Sequence, residues 1–168
     1  MSKFMDNQGN ISIEYMLIVG MAFIITLMIV NFINTEQELG NALGAARSGA
    51  SEGINMNNFA IYPKEAFKTY EIEKPTILSP SSIKIVKIEA MNQGFNTNYE
   101  KTKIQLKIFV SCTKQLKNEE KDSLGDRINY NVRKSISICF KTENLTNSIY
   151  NPAFSPKYVF TTADIKWM

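Results

Sequence analysis

The sequence predicts an α+β protein: a long N-terminal α-helix followed by a small antiparallel β-sheet head. Three observations predict it. An uncharged apolar run from Tyr15 to Ile33 passes, with no proline, into an amphipathic stretch reaching Ile54. The composition then switches near Asn55, where Asn55, Asn57 and Asn58 cluster and Pro63 follows. Beyond that switch, short β-branched runs alternate with polar residues and are separated by turn-forming segments. The expected organisation is a leader over 1–9, a helix over 10–55 and a β-rich head over 56–168.

The leader, MSKFMDNQG, is polar and ends in Gly9. A secretory signal peptide has the reverse order, with its cleavage site after the apolar segment. If this leader is cut, the apolar segment stays on the mature chain. That segment has only Thr26 and Asn31 as polar interruptions. A helix of about 20 such residues spans the hydrocarbon core of a bilayer. Glu14 stands at its start, and a carboxylate placed there is costly enough to mark a function with a specific partner. The plainer alternative is a carboxylate solvated at the membrane surface.

The helical period continues past Ile33. Leu39, Ala42, Leu43, Ala46, Ala50, Gly53 and Ile54 follow an i, i+3, i+4 pattern, with Glu36, Glu38, Asn41, Arg47, Ser48 and Glu52 on the other positions. Together the two halves predict one helix of roughly 45 residues, about 65–70 Å long. Its second half carries Gly40, Gly44, Gly49 and Gly53. Each interior glycine costs a helix about 1 kcal/mol relative to alanine, which close approach to other helices can offset. A loose linker is the competing reading, and the Leu39/Leu43/Ile54 stripe favours packing.

In the head, four segments read as strands. Ile83 to Ile88 is β-branched and roughly alternating. Ile104, Leu106, Ile108 and Val110 alternate with Gln105, Lys107 and Ser111. Val132, Ile136, Ile138 and Phe140 alternate with Arg133, Ser135 and Ser137. Tyr158 to Phe160 is a last short run. Ser79 to Ser82, Asn92 to Gly94, and Lys117 to Arg127 read as turns. Clean alternation implies one wet face, hence an antiparallel sheet.

Composition narrows the function. The 168 residues carry a net charge of +3, too mild to imply a nucleic-acid partner. Histidine is absent and cysteine occurs twice, which excludes His-based catalysis and the usual three- or four-ligand zinc sites. No nucleophile–base pair or phosphate-cradling glycine loop is present, so neither an enzyme nor a bound cofactor is expected. Asn118 to Asp126 gathers four carboxylates without EF-hand spacing and reads as a solvated hairpin loop. Lys84, Lys87, Lys101, Lys103 and Lys107 read as a wet sheet face, with an anion-binding groove as the alternative. Cys112 and Cys139 are candidates for a disulfide in an oxidising compartment, although Cys139 is out of phase with Ile138 and Phe140; two free thiols are the alternative. Asn144, in Asn144-Leu145-Thr146, is the candidate glycosylation site of the head.

The order of a Gly-terminated polar leader, Ser12 and Glu14 at the third and fifth positions after Gly9, a ~20-residue apolar helix and a β-rich head resembles archaeal type IV pilin-like proteins with a class III signal peptide. The family pattern is Gly, a cleavage point, then Gln-x-Ser-x-Glu-x-x-x-Leu. Here Asn10 stands for the Gln and Ile18, beside Leu17, for the Leu; Lys3 is the only basic leader residue. The resemblance covers residues 1 to about 60. It implies cleavage between Gly9 and Asn10 by a prepilin-type signal peptidase and storage in the cell membrane. Assembly on a pilus platform into an extracellular filament of this chain, with other pilins as further partners, would follow. Such a filament serves surface attachment. Cleavage would free an α-amine on Asn10, one turn from Glu14 and ordinarily positive at neutral pH. Two other readings share parts of this pattern: a monomeric membrane-anchored domain that binds a ligand or glycan, and a pseudopilin of an export or DNA-uptake machine.

Overall fold

The computed structural model describes the backbone of residues 6–59 and 83–168, and side chains over 13–55 and 83–168. The first five leader residues and the expected turn at Ser79–Ser82 lie outside the described residues, as do the side chains of Asn10 and Ser12. The chain divides into two compact units, Met1–Leu39 and Gly40–Met168.

Helix α1 runs from Asp6 to Phe59, four residues beyond the expected range at each end. Asn55, Asn57 and Asn58 lie within it, because asparagine costs a helix only tenths of a kcal/mol where packing holds the backbone. In the first unit, every residue from Ile13 to Asn34 is exposed. The hydroxyls of Thr26 and Thr35 donate to the carbonyls of Ala22 and Asn31, four residues back, at 2.9 and 2.8 Å. The two threonine hydroxyls in and beside the apolar run are thereby satisfied within the helix itself.

In the second unit, Ala42, Ala46, Ala50 and Ile54 of α1 are buried at helical spacing. The sheet contains β1 (Ile83–Asn96), β2 (Lys101–Cys112), β3 (Ala153–Phe154), β4 (Tyr158–Thr162) and β5 (Lys166–Trp167), in the order β1-β2-β4-β3, with β5 also on β2. Strands β1 and β2 form an antiparallel hairpin in which Ile83 faces Cys112 and Ala90 faces Leu106. Its turn lies at Thr97–Glu100, not at the expected Asn92–Gly94, which forms a bulge inside β1. Gly94 takes φ 84° there and its N–H donates to Asn92 Oδ1.

Two expectations are corrected together. Residues 118–139 are a helix, α2, and not a loop followed by a strand. The sheet is mixed, not antiparallel: β4 and β5 both run parallel to β2. One cause explains both. A parallel neighbour requires a crossover of a dozen or more residues, commonly a helix, and α2 supplies it between β2 and β4. The alternation over Val132–Phe140 is incidental. The large apolar side chains that α2 buries are Leu124, Ile128, Val132 and Ile136, a strict i+4 series, while Ile138 lies exposed. The acidic run ahead of them is a helix start: Glu119 and Glu120 occupy the first turn, and the Glu120 carboxylate accepts the Lys117 N–H at 2.9 Å.

The core forms where α2 covers one face of the sheet. Ile104, Leu106, Ile108 and Val110 of β2 and Phe160 of β4 are buried with the α2 series. Asn129 Nδ2 donates to Ala163 O, and Arg133 donates to Ile149 O and Thr162 Oγ1, tying α2 to the chain around β4. Burial lowers the Arg133 pKa from its high ordinary value, and the charge of Asp126 opposes that shift.

Candidate functional site

Three features bear on function. The first is the apolar surface of α1 in the first unit. Its large apolar side chains from Ile13 to Ile33 are between 48% and 73% exposed, on all sides of the helix. This helix is long and apolar enough to cross a membrane. Full burial of such a side chain stabilises by about 1.5–3 kcal/mol, so covering the sixteen of them is worth tens of kcal/mol. A whole domain is stable by only about 5–15 kcal/mol. Glu14 is exposed at the start of this surface. Gly20 opens a shallow apolar notch lined by Tyr15, Met16, Val19 and Phe23, where an added Cβ would meet nothing within 4 Å.

The second is the seat of α1 on α2, within the second unit. A Cβ built on Gly49 would lie 2.3 Å from Asn131 O and 2.7 Å from Ser135 Oγ. One built on Gly53 would lie 2.8 Å from Ile128 Cα. Backbone meets backbone here, which only glycine permits. The four glycines therefore divide into pairs. Gly49 and Gly53 are buried in the head's own helix contact, whereas Gly40 and Gly44 are exposed and a Cβ on either meets nothing within 4 Å.

The third was not foreseen from the sequence. A cleft of about 620 Å³ is lined by Asn118, Lys121, Asp122, Gly125, Asp126, Asn129, Asp164, Ile165 and Trp167. It exists because Gly125 lets α2 approach Ile165, 3.3 Å from a built Cβ, in the link between β4 and β5 that also carries Asp164. Asp122 and Asp126 reach it from one face of α2 at i, i+4 spacing. That spacing is visible in the sequence but is meaningless for a hairpin loop. Among the described residues, no group of three or more His, Cys, Asp or Glu could hold a metal ion.

The remaining candidates are scattered. Cys112 ends β2 half-buried and Cys139 ends α2 exposed, and both are free thiols; the expected disulfide is absent. Cys139 lies in α2 and not on the expected strand over Val132–Phe140, three residues past Ile136, the last buried position of the i+4 series. Asn144 lies exposed in a 3₁₀ turn, Glu143–Leu145, and Thr146 Oγ1 of the same sequon donates to Pro152 O. No protein-family model, no curated protein and no solved structure matches this chain.

Proposed function

We propose that this chain is a filament subunit of the archaeal type IV pilin class, held in the membrane by α1 before assembly and polymerised through α1 afterwards. The observation that carries the reading is the apolar surface of Ile13–Ile33, uncovered on every side and headed by Glu14. A surface that apolar must be covered by lipid or by other helices. An all-round distribution suits both in succession, since a helix leaving lipid needs neighbours on every side. Identical copies satisfy that need through heterologous contacts, which build open helical assemblies when the rotation does not close. Exposed Gly40 and Gly44 add a place where a neighbouring helix can approach closely.

In this reading the leader is removed at Gly9, and the new Asn10 amine offsets the cost of Glu14 among apolar helices. Glu14 then sets the register of one copy on the next. The test joins two measurements on the protein from its native cells. Its N-terminal residue and intact mass should correspond to a chain starting at Asn10. Glu14→Gln should cut filament yield by about tenfold or more, the loss expected when a buried charge pair loses one partner. A chain that keeps Met1 or Ser2, with filament yield indifferent to Glu14, sinks the reading and leaves a tethered surface domain in its place.

A further inference from the structure

A cavity of about 580 Å³ lies within the second unit, lined by the end of α1 and the start of β1. Arg47, Ser51 and Asn55 line it from α1 at i, i+4 and i+8, which stacks them along one side of the helix. Lys84 lines it from β1, where its cross-strand neighbour is Ser111. Ile54 and Ile83, both buried, and half-buried Ile85 give the cavity its apolar side.

The polar groups of this cavity are uncommitted. Arg47 and Lys84 are exposed, and neither has an ion-pair partner among the described residues. The positions three and four away from Arg47 on α1 are Leu43, Gly44, Ala50 and Ser51, so the helix itself offers it no acid. The Ser51 hydroxyl and the Asn55 amide make no hydrogen bond among the described residues. No carboxylate lines the cavity. Two like charges that share one hollow repel each other, and an anion seated with them removes that cost.

We propose that this cavity binds a small soluble phosphomonoester with an apolar body. Such a group carries about −1.5 to −2 charges at neutral pH and three acceptor oxygens. That charge matches the two cations. The Arg47 guanidinium is able to hold two oxygens at once, and the Lys84 ammonium supplies a point charge for the third. Ser51 and Asn55 add neutral donors. A carboxylate brings one charge and two oxygens, which leaves one cation unmatched. A volume of about 580 Å³ falls in the range of small-ligand sites, so room remains for an organic body against Ile54, Ile83 and Ile85. The site belongs to one unit of the chain and stands independently of the filament reading.

The test is titration calorimetry of the full chain in uncharged detergent micelles at low salt, with phenyl phosphate as the probe. Saturable binding of one molecule per chain is expected, at about 1 mM or tighter. Inorganic phosphate lacks the apolar body and should bind at least about tenfold more weakly. Phenol lacks the charge and should show no saturable binding over the same range. Arg47→Gln and Lys84→Gln should each weaken phenyl phosphate binding at least about tenfold. Lys84→Arg keeps the charge and should stay within about threefold of wild type. Both side chains are exposed and unpaired, so each variant should melt like wild type; where one does not, the other decides. Absence of saturable phenyl phosphate binding refutes the site. Binding that neither Gln substitution weakens refutes it equally, as does phenol binding as tightly as phenyl phosphate. Equal affinity for phenyl phosphate and inorganic phosphate overturns the apolar-bodied ligand.

Discussion

Gly49→Ala and Gly44→Ala are the same chemical change five residues apart on one helix, and the structure assigns them opposite signs. At Gly49 the new methyl would stand 2.3 Å from Asn131 O and 2.8 Å from its carbonyl carbon. An unstrained contact of this kind needs about 3.5 Å, so α1 and α2 must part by about 1 Å. The obstructing atoms are backbone, which cannot rotate aside. The cost falls near the top of the usual overpacking range, about 3 kcal/mol, against a gain of about 1 kcal/mol from replacing a helical glycine. The net destabilisation is about 2 kcal/mol. At Gly44 nothing lies within 4 Å, so only the gain of about 1 kcal/mol remains. At roughly 4 °C per kcal/mol for a head of this size, Gly49→Ala should melt about 8 °C below wild type and Gly44→Ala about 4 °C above it. Near-UV circular dichroism of the full chain in detergent micelles reads the melting of the head through its tyrosines and Trp167. A Gly49→Ala variant that melts at or above wild type would refute the close seat of α1 on α2.

Other consequences can be measured in the same preparation. Leu106→Ala empties a fully buried position of the central strand and should cost about 3–4 kcal/mol by thermal or urea unfolding. Glu120→Ala removes the acceptor for the Lys117 N–H at the start of α2, for a loss of about 1 kcal/mol in the same assay. Thiol titration without reductant should count two thiols per chain, and timed alkylation followed by mass spectrometry should label exposed Cys139 before half-buried Cys112.

The N-terminal helix was legible because its signal is large and local: an uncharged run, no proline and a continuing 3.6-residue period. Strands β1, β2 and β4 were legible for a similar reason, each showing its own alternation. Helix α2 was not, because Val132, Ile136, Ile138 and Phe140 satisfy a period of two while only the first two enter the core. The preceding Leu124 and Ile128 would have completed an i+4 series, but charged neighbours and Gly125 gave that stretch the look of a turn. Missing the helix concealed the crossover, and with it the parallel strands. It concealed the cleft too, since Asp122 and Asp126 share a face only on a helix and Asp164 joins them only through the fold. The glycines were recognised as a packing signal, but sequence alone cannot say which pair serves the head and which lies open.

Strand β2 takes partners on both sides, yet they arrive at different times along the chain. Its hairpin mate β1 precedes it directly, across a turn of four residues. Its other flank is closed by β4 and β5, and Lys101 bonds to Ser155, 54 residues further on. Such pairings form slowly because a long loop must close first. While the chain is being made, β2 therefore keeps one bare edge until α2 has folded and everything through Trp167 is available. A bare central strand invites pairing with a neighbouring copy in the wrong way. Crowding many copies together before their heads have closed would thus favour aggregates over ordered contacts, and a holding stage in which each copy finishes its head alone would guard against them.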